Sequence, residues 1–324
     1  MSIVEVGHHV RCTPAALLLC GLIVWFPLVG CGSAPSHPSA SPSASSPTAT
    51  SSPAVRASPS SGLVHIFLIL EENKSYSEIV GNPTAPYINS LIRRYALATD
   101  YHALFHPSLP NYIALTSGSN HGITDDRSPP SAGNEIAVAN IADRIEARGR
   151  SWREYAESMP SPGYAFDAGE YVTKHVPFVY YTDILGNPQR CRSHVVPLTQ
   201  LARDLRSVTT TPDFAFITPN LYDDMHDGPI AAGDRWLART VPLILGSPAF
   251  RTTRSLLVLT WDEDAGTADN HIATILVGNS VKPGYRSGRR YDHYALLHTI
   301  EAAWHLAPLT AHDAQAPTMS EFFK

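Results

Sequence analysis

Four apolar, β-rich runs constrain the fold more than any other feature of this chain. They read LVHIFLIL (63–70), DFAFIT (213–218), SLLVLTW (255–261) and IATILVG (272–278). None shows strict polar–apolar alternation, so each predicts a strand buried on both faces, as in a parallel sheet covered by helices. The segments between them carry helical spacing. Residues 86–98 set Ile88, Leu91, Ile92 and Tyr95 along one side behind Pro86, and 236–245 and 295–305 read as further helices. Strands alternating with helices predict an α/β fold, a helix–sheet–helix sandwich around a largely parallel sheet. In such sheets ligands sit beyond the carboxyl ends of the strands.

The sequence places chemistry at those ends. Glu71, Glu72 and Asn73 follow the first run. Asn220, Asp223, Asp224 and His226 follow the second, and Asp262, Glu263 and Asp264 the third. Several carboxylates gathered on one edge repel one another unless a cation neutralises them, which predicts a metal site. The oxygen-rich set suits a hard or borderline divalent ion, and the added histidine admits zinc or iron. In HPSLPNYIAL (106–115) a serine follows Pro107 at the start of an expected helix. Two readings of Ser108 stand together. It can cap the helix, or it can be a nucleophile where free N–H groups and the positive dipole end favour phosphate.

The N-terminus predicts export. Arg11 precedes an apolar run, AALLLCGLIVWFPLVG (15–30), of signal-peptide length, and the run ends at Leu28-Val29-Gly30-Cys31. That ending resembles a bacterial lipobox, so residues 1–31 read as a lipoprotein signal whose Cys31 becomes lipidated and holds the protein at the outer face of a cell membrane. Residues 32–62 contain twelve Ser, six Pro and six Ala, with one charge at Arg56, and read as a disordered tether. Residues 63–324 remain as one catalytic-sized domain. Cys191 is the only cysteine left to it, so no structural disulfide is expected. The formal net charge of -5 argues against a nucleic-acid partner.

Six stretches, in order, carry a family resemblance: LEENKSYSEIVGNPTAPYINSL, HPSLPNYIALTSG, YVTKHVPFVYY, ITPNLYDDMHDGPIAAGDRWL, LVLTWDEDAG and YDHYALLHTIE. With them the domain resembles the phosphoesterase family of the alkaline phosphatase superfamily, which includes acid phosphatases and phospholipases C. The resemblance implies that Glu72, Asn73, Ser108, Asp262 and Glu263 form a metal-and-nucleophile cluster for one or two divalent ions. It matches Asp223, Asp224, His226 and His293 to positions that ligate a second metal or contact phosphate. It makes Lys174 and His175 a pair that binds phosphoryl oxygens beside a leaving-group acid, His175 or His226. Asn220, Ala265 and His271 depart from the family pattern. The implied function is metal-dependent hydrolysis of phosphate monoesters, soluble or on a lipid head group such as a phosphoinositide, through a phosphoserine at Ser108. The alternatives are a phospholipase C-type phosphodiesterase and a non-catalytic binding lipoprotein.

Overall fold

The computed structural model describes residues 62–128 and 133–324, so the expected signal segment, Cys31 and nearly all of the tether lie outside the described residues. Nine strands form one sheet: β1 (His65–Glu71), β2 (Ala96–His102), β3 (Trp152–Ala156), β4 (Val195–Pro197), β5 (Phe214–Thr218), β6 (Ser255–Trp261), β7 (His271–Val277), β8 (Arg286–Ser287) and β9 (Tyr291–Asp292). The order is β4-β3-β5-β1-β6-β7-β2-β8, with β9 beside β2. All four apolar runs become strands. β1 lies at the centre, where Ile66 pairs with Phe214 on one side and Leu256 on the other. Every residue of β1 and β6 is buried, so both faces of the sheet are covered there. Among the described strands only β7 runs antiparallel to its neighbours.

One expected boundary is corrected. The helix foreseen over 86–98 ends at Arg94; Tyr95 is extended and β2 begins at Ala96. Ala96 to Ala98 fit a helix by local preference, but pairing with β7 on one side and β8 on the other decides their conformation. The helix over 236–245 is longer than expected, Ile230–Gly246, with Pro242 inside it. It packs on the Pro86–Arg94 helix, while the Ser108–Ser117 helix packs on His293–Trp304. That second contact fixes the serine-bearing helix over the carboxyl end of the sheet.

Candidate active site

Four segments that leave the carboxyl ends of β1, β2, β5 and β6 supply most of the site, and a short helical turn, Thr173–His175, adds to it. Beyond β1, Asn73 adopts the left-handed conformation (φ 47°), which asparagine tolerates better than most residues. The turn lets its backbone N–H donate to Asp262 Oδ1 at 3.1 Å and its side-chain amide donate to Glu263 Oε1 at 3.0 Å. Ser108, beyond β2, is 1% exposed. Its hydroxyl donates to Glu72 Oε2 at 3.0 Å and lies 3.4 Å from Glu263 Oε1. Glu72, Asn73, Ser108, Asp262 and Glu263 are therefore one cluster.

Ser108 is not a helix cap. It is the first helical residue behind Pro107, and the cap position makes no side-chain bond. Asp126 does the capping instead, accepting from the Leu109 N–H at 2.9 Å. The serine hydroxyl is thereby left to the carboxylates.

The cluster holds more buried negative charge than its neighbours neutralise. Burial, then Glu72 and Glu263, push the Asp262 carboxyl well above the usual range. Burial and Glu72 likewise raise Glu263, against the lowering effect of His106, whose Nδ1 contacts Glu263 Oε2. Burial alone would raise Glu72, but His175, the Tyr112 hydroxyl and Lys174 outweigh it and bring it down to about 2. Asn73 Oδ1 and Asp262 Oδ2 are buried without a hydrogen-bond partner. Among the described residues no three His, Cys, Asp or Glu side chains already converge as a finished metal site. The orphaned oxygens and the mutually raised carboxylates nonetheless fit a hard cation bound through carboxylate, amide and hydroxyl oxygens.

Four expected residues, His175, Asp223, Asp224 and His293, make their contacts elsewhere than on the Ser108 hydroxyl. His175 is 2% exposed and lies between Glu72 Oε1 and Asp224 Oδ2, 3.1 Å from each. Burial would lower its pKa, but the two carboxylates outweigh burial and push it up to about 9. Both ring nitrogens so enclosed face carboxylates, although Nε2 makes no hydrogen bond, and the ring is placed to offset their charge. Asp224 thus binds His175, not the Ser108 cluster, and Asp223 turns toward Arg239 at 3.8 Å. His293 is fully buried with both ring nitrogens engaged, Nε2 with the Asp262 carbonyl at 2.7 Å and Nδ1 with the Tyr101 hydroxyl at 3.2 Å. It holds the backbone of Asp262 and offers no nitrogen to a metal.

Lys174 and His226 do meet at the rim. Lys174 Nζ is 3.3 Å from His226 Nε2 and donates to Asp126 Oδ2 at 3.1 Å. Asp227 Oδ1 lies 2.7 Å from His226 Nδ1, which orients the ring. Sequence reasoning missed Tyr112 and Asp126. The Tyr112 hydroxyl donates to Glu72 Oε1 at 2.5 Å, and its ring stacks on His175 with centroids 5.4 Å apart. The available signal was spacing, since Tyr112 lies four residues after Ser108 on the same helix face. Asp126 gave no such signal.

Known proteins resemble this chain over most of its length. The chain is 35% identical over 260 residues to the phosphatidylinositol-3-phosphatase of Mycobacterium tuberculosis, covering 80% of this chain and 82% of that one. It is 31% identical over 262 residues to a probable acid phosphatase of Kluyveromyces lactis, covering 77% of this chain but only 60% of the yeast protein. Among solved structures, an alkaline phosphatase superfamily protein from Vibrio parahaemolyticus shares the fold with a TM-score of 0.57, at 12% identity over 80% of this chain and 72% of its own. The sequence profile of the Phosphoesterase family matches residues 82–307, and with that match and the mycobacterial relative, this chain belongs to the phosphoesterase family.

Proposed function

We propose that this chain hydrolyses phosphate monoesters, with Ser108 as the nucleophile. One observation carries the reading: a buried serine hydroxyl at the mouth of a ten-residue helix donates to Glu72 within a cluster of carboxylates that lacks a cation's worth of neutralisation. A divalent cation held by Glu72, Asn73, Ser108, Asp262 and Glu263 would lower the pKa of the serine hydroxyl and offset those charges. Ser108 Oγ would give its proton to the Glu263 carboxylate 3.4 Å away and attack phosphorus in line, forming the Oγ–phosphorus bond as the bond to the leaving oxygen breaks. Lys174 would bind a non-bridging oxygen, where charge accumulates. His226, oriented by Asp227, would give its proton to the leaving alkoxide. Water would then cleave the phosphoserine.

The relatives' names support monoesters, including a phosphate on an inositol lipid, over a phospholipase C-type diester or a merely bound ligand. We place the protein outside the cell membrane, held through Cys31, on the strength of the apolar run and lipobox-like ending alone. The test is direct. Ser108→Ala should abolish hydrolysis of p-nitrophenyl phosphate, and the wild type quenched in acid should carry one phosphate on the peptide containing Ser108. A folded, active Ser108→Ala protein refutes the assignment, and faster turnover of bis-p-nitrophenyl phosphate refutes the monoester preference. Release of the Cys31→Ser protein from membranes would support the anchor; unchanged fractionation would refute it.

A further inference from the structure

Resting on that reading, the structure assigns Asp126 as an internal stand-in for the substrate's phosphate, a carboxylate that occupies the phosphoryl-oxygen position until substrate displaces it. Of the four positions at the mouth of the Ser108–Ser117 helix, Pro107 and Pro110 have no N–H, so the backbone donors are those of Ser108 and Leu109. Leu109 spends its N–H on Asp126 Oδ1 at 2.9 Å. The other carboxylate oxygen, Oδ2, accepts from Lys174 Nζ at 3.1 Å. One carboxylate thus bridges a helix-mouth amide and an ammonium, as two oxygens of a phosphoryl group would. The bridge belongs to the Ser108 site. Asp126 lies near enough to raise the Glu263 carboxyl, and Lys174 feels both Glu72 and Asp262.

Asp126 is placed to yield. Its side chain is 28% exposed, so rotation carries the carboxylate into water without moving the backbone. The backbone beside it is held: the Tyr180 hydroxyl donates to the Arg127 carbonyl at 2.9 Å, and the Ser128 hydroxyl donates to Asp167 Oδ2 at 2.9 Å. An incoming phosphate dianion competes with one monoanionic carboxylate for the same two donors. It wins through its second charge and its contact with the remaining site. The resting contact therefore sets the concentration of phosphate ester needed.

The test measures inorganic phosphate binding to full-length wild type, Asp126→Asn, Asp126→Ala and Asp126→Glu by titration calorimetry, with steady-state kinetics on p-nitrophenyl phosphate alongside. Removing the competing charge should tighten phosphate binding and lower KM by roughly two- to fivefold in Asp126→Asn and Asp126→Ala, the scale of one partly exposed ion pair. Asp126→Glu should restore wild-type values. Weaker or unchanged phosphate binding in Asp126→Asn overturns the proposal, because a carboxylate that only positions Lys174 would be missed by phosphate when removed. Asp126→Asn keeps the shape and the capping oxygen, so the test stands even if Asp126→Ala unfolds. A wild type that binds phosphate but hydrolyses no monoester refutes the functional reading and leaves this one intact.

Discussion

Glu301 ties the stability of this fold to pH. It is fully buried on the His293–Trp304 helix beside Asp313. Burial first, and then the Asp313 charge, push its carboxyl up to about 9. The folded protein therefore keeps a proton that the unfolded chain releases above pH ~4.5. Below that value both states are protonated and the group is silent. Between pH ~4.5 and ~9 the folded state binds one proton more, so stability falls as pH rises, by about 1.4 kcal/mol per unit. From pH 5 to pH 7.5 the loss reaches about 3 kcal/mol, or roughly 6–12 °C in Tm for a domain of this size. Glu301→Gln imitates the protonated acid, because its amide can still donate toward Asp313. Thermal melts of both proteins at half-unit steps should nearly coincide at pH 5 and separate steadily above it, with Glu301→Gln the more stable. Parallel curves across the whole range would mean that Glu301 is ionised in the fold.

Other expected outcomes follow from contacts at the site. Asp262→Asn removes one of the mutually raised carboxylates, so in chelator-treated protein it should raise Tm by a few degrees while abolishing the further rise that a divalent salt gives wild type; a lower Tm without metal would contradict the repulsion argument. Tyr112→Phe removes the hydroxyl from Glu72 Oε1 but leaves His175 beside that oxygen, so it should lower stability by about 1 kcal/mol, read by urea titration, whereas a neutral result would show that the 2.5 Å bond contributes nothing. Gly228→Ala would set a Cβ 1.9 Å from the Tyr222 carbonyl oxygen, so the loop carrying His226 must move; kcat should fall more than tenfold, and wild-type kinetics would show that the loop adapts freely.

The central strands were legible because burial on both faces leaves an uninterrupted apolar run, a signal that needs no knowledge of neighbours. β2 was not, since ALATDYH becomes a strand only through β7, β8 and β9, residues nearly two hundred positions away. The clustering of Glu72, Asn73, Asp262 and Glu263 was legible because strand ends in a parallel sheet converge by construction. What residue identity could not convey was the direction of a ring. His175 and His293 stand in suggestive motifs, yet one lies sandwiched between carboxylates and the other faces a carbonyl. Asp126 was illegible for a related reason, since its partners are a backbone amide and a lysine brought in from another loop.

The central position of β1 has a consequence for the order in which the molecule becomes competent. Its two flanking strands are β5 and β6, so the middle of the sheet is completed by some of the last residues made. Ser108 meets Glu72 across 36 residues of chain, but Glu263 across 155, and Asn73 meets Glu263 across 190. Contacts of such sequence separation form late and slowly, after the entropy of closing long loops has been overcome. A growing or threading chain carries its serine long before it carries the carboxylates that surround it. With the site proposed above, reactivity toward phosphate esters would be withheld until β6 and the carboxylates beyond it have been delivered, and a chain truncated before β6 would lack them.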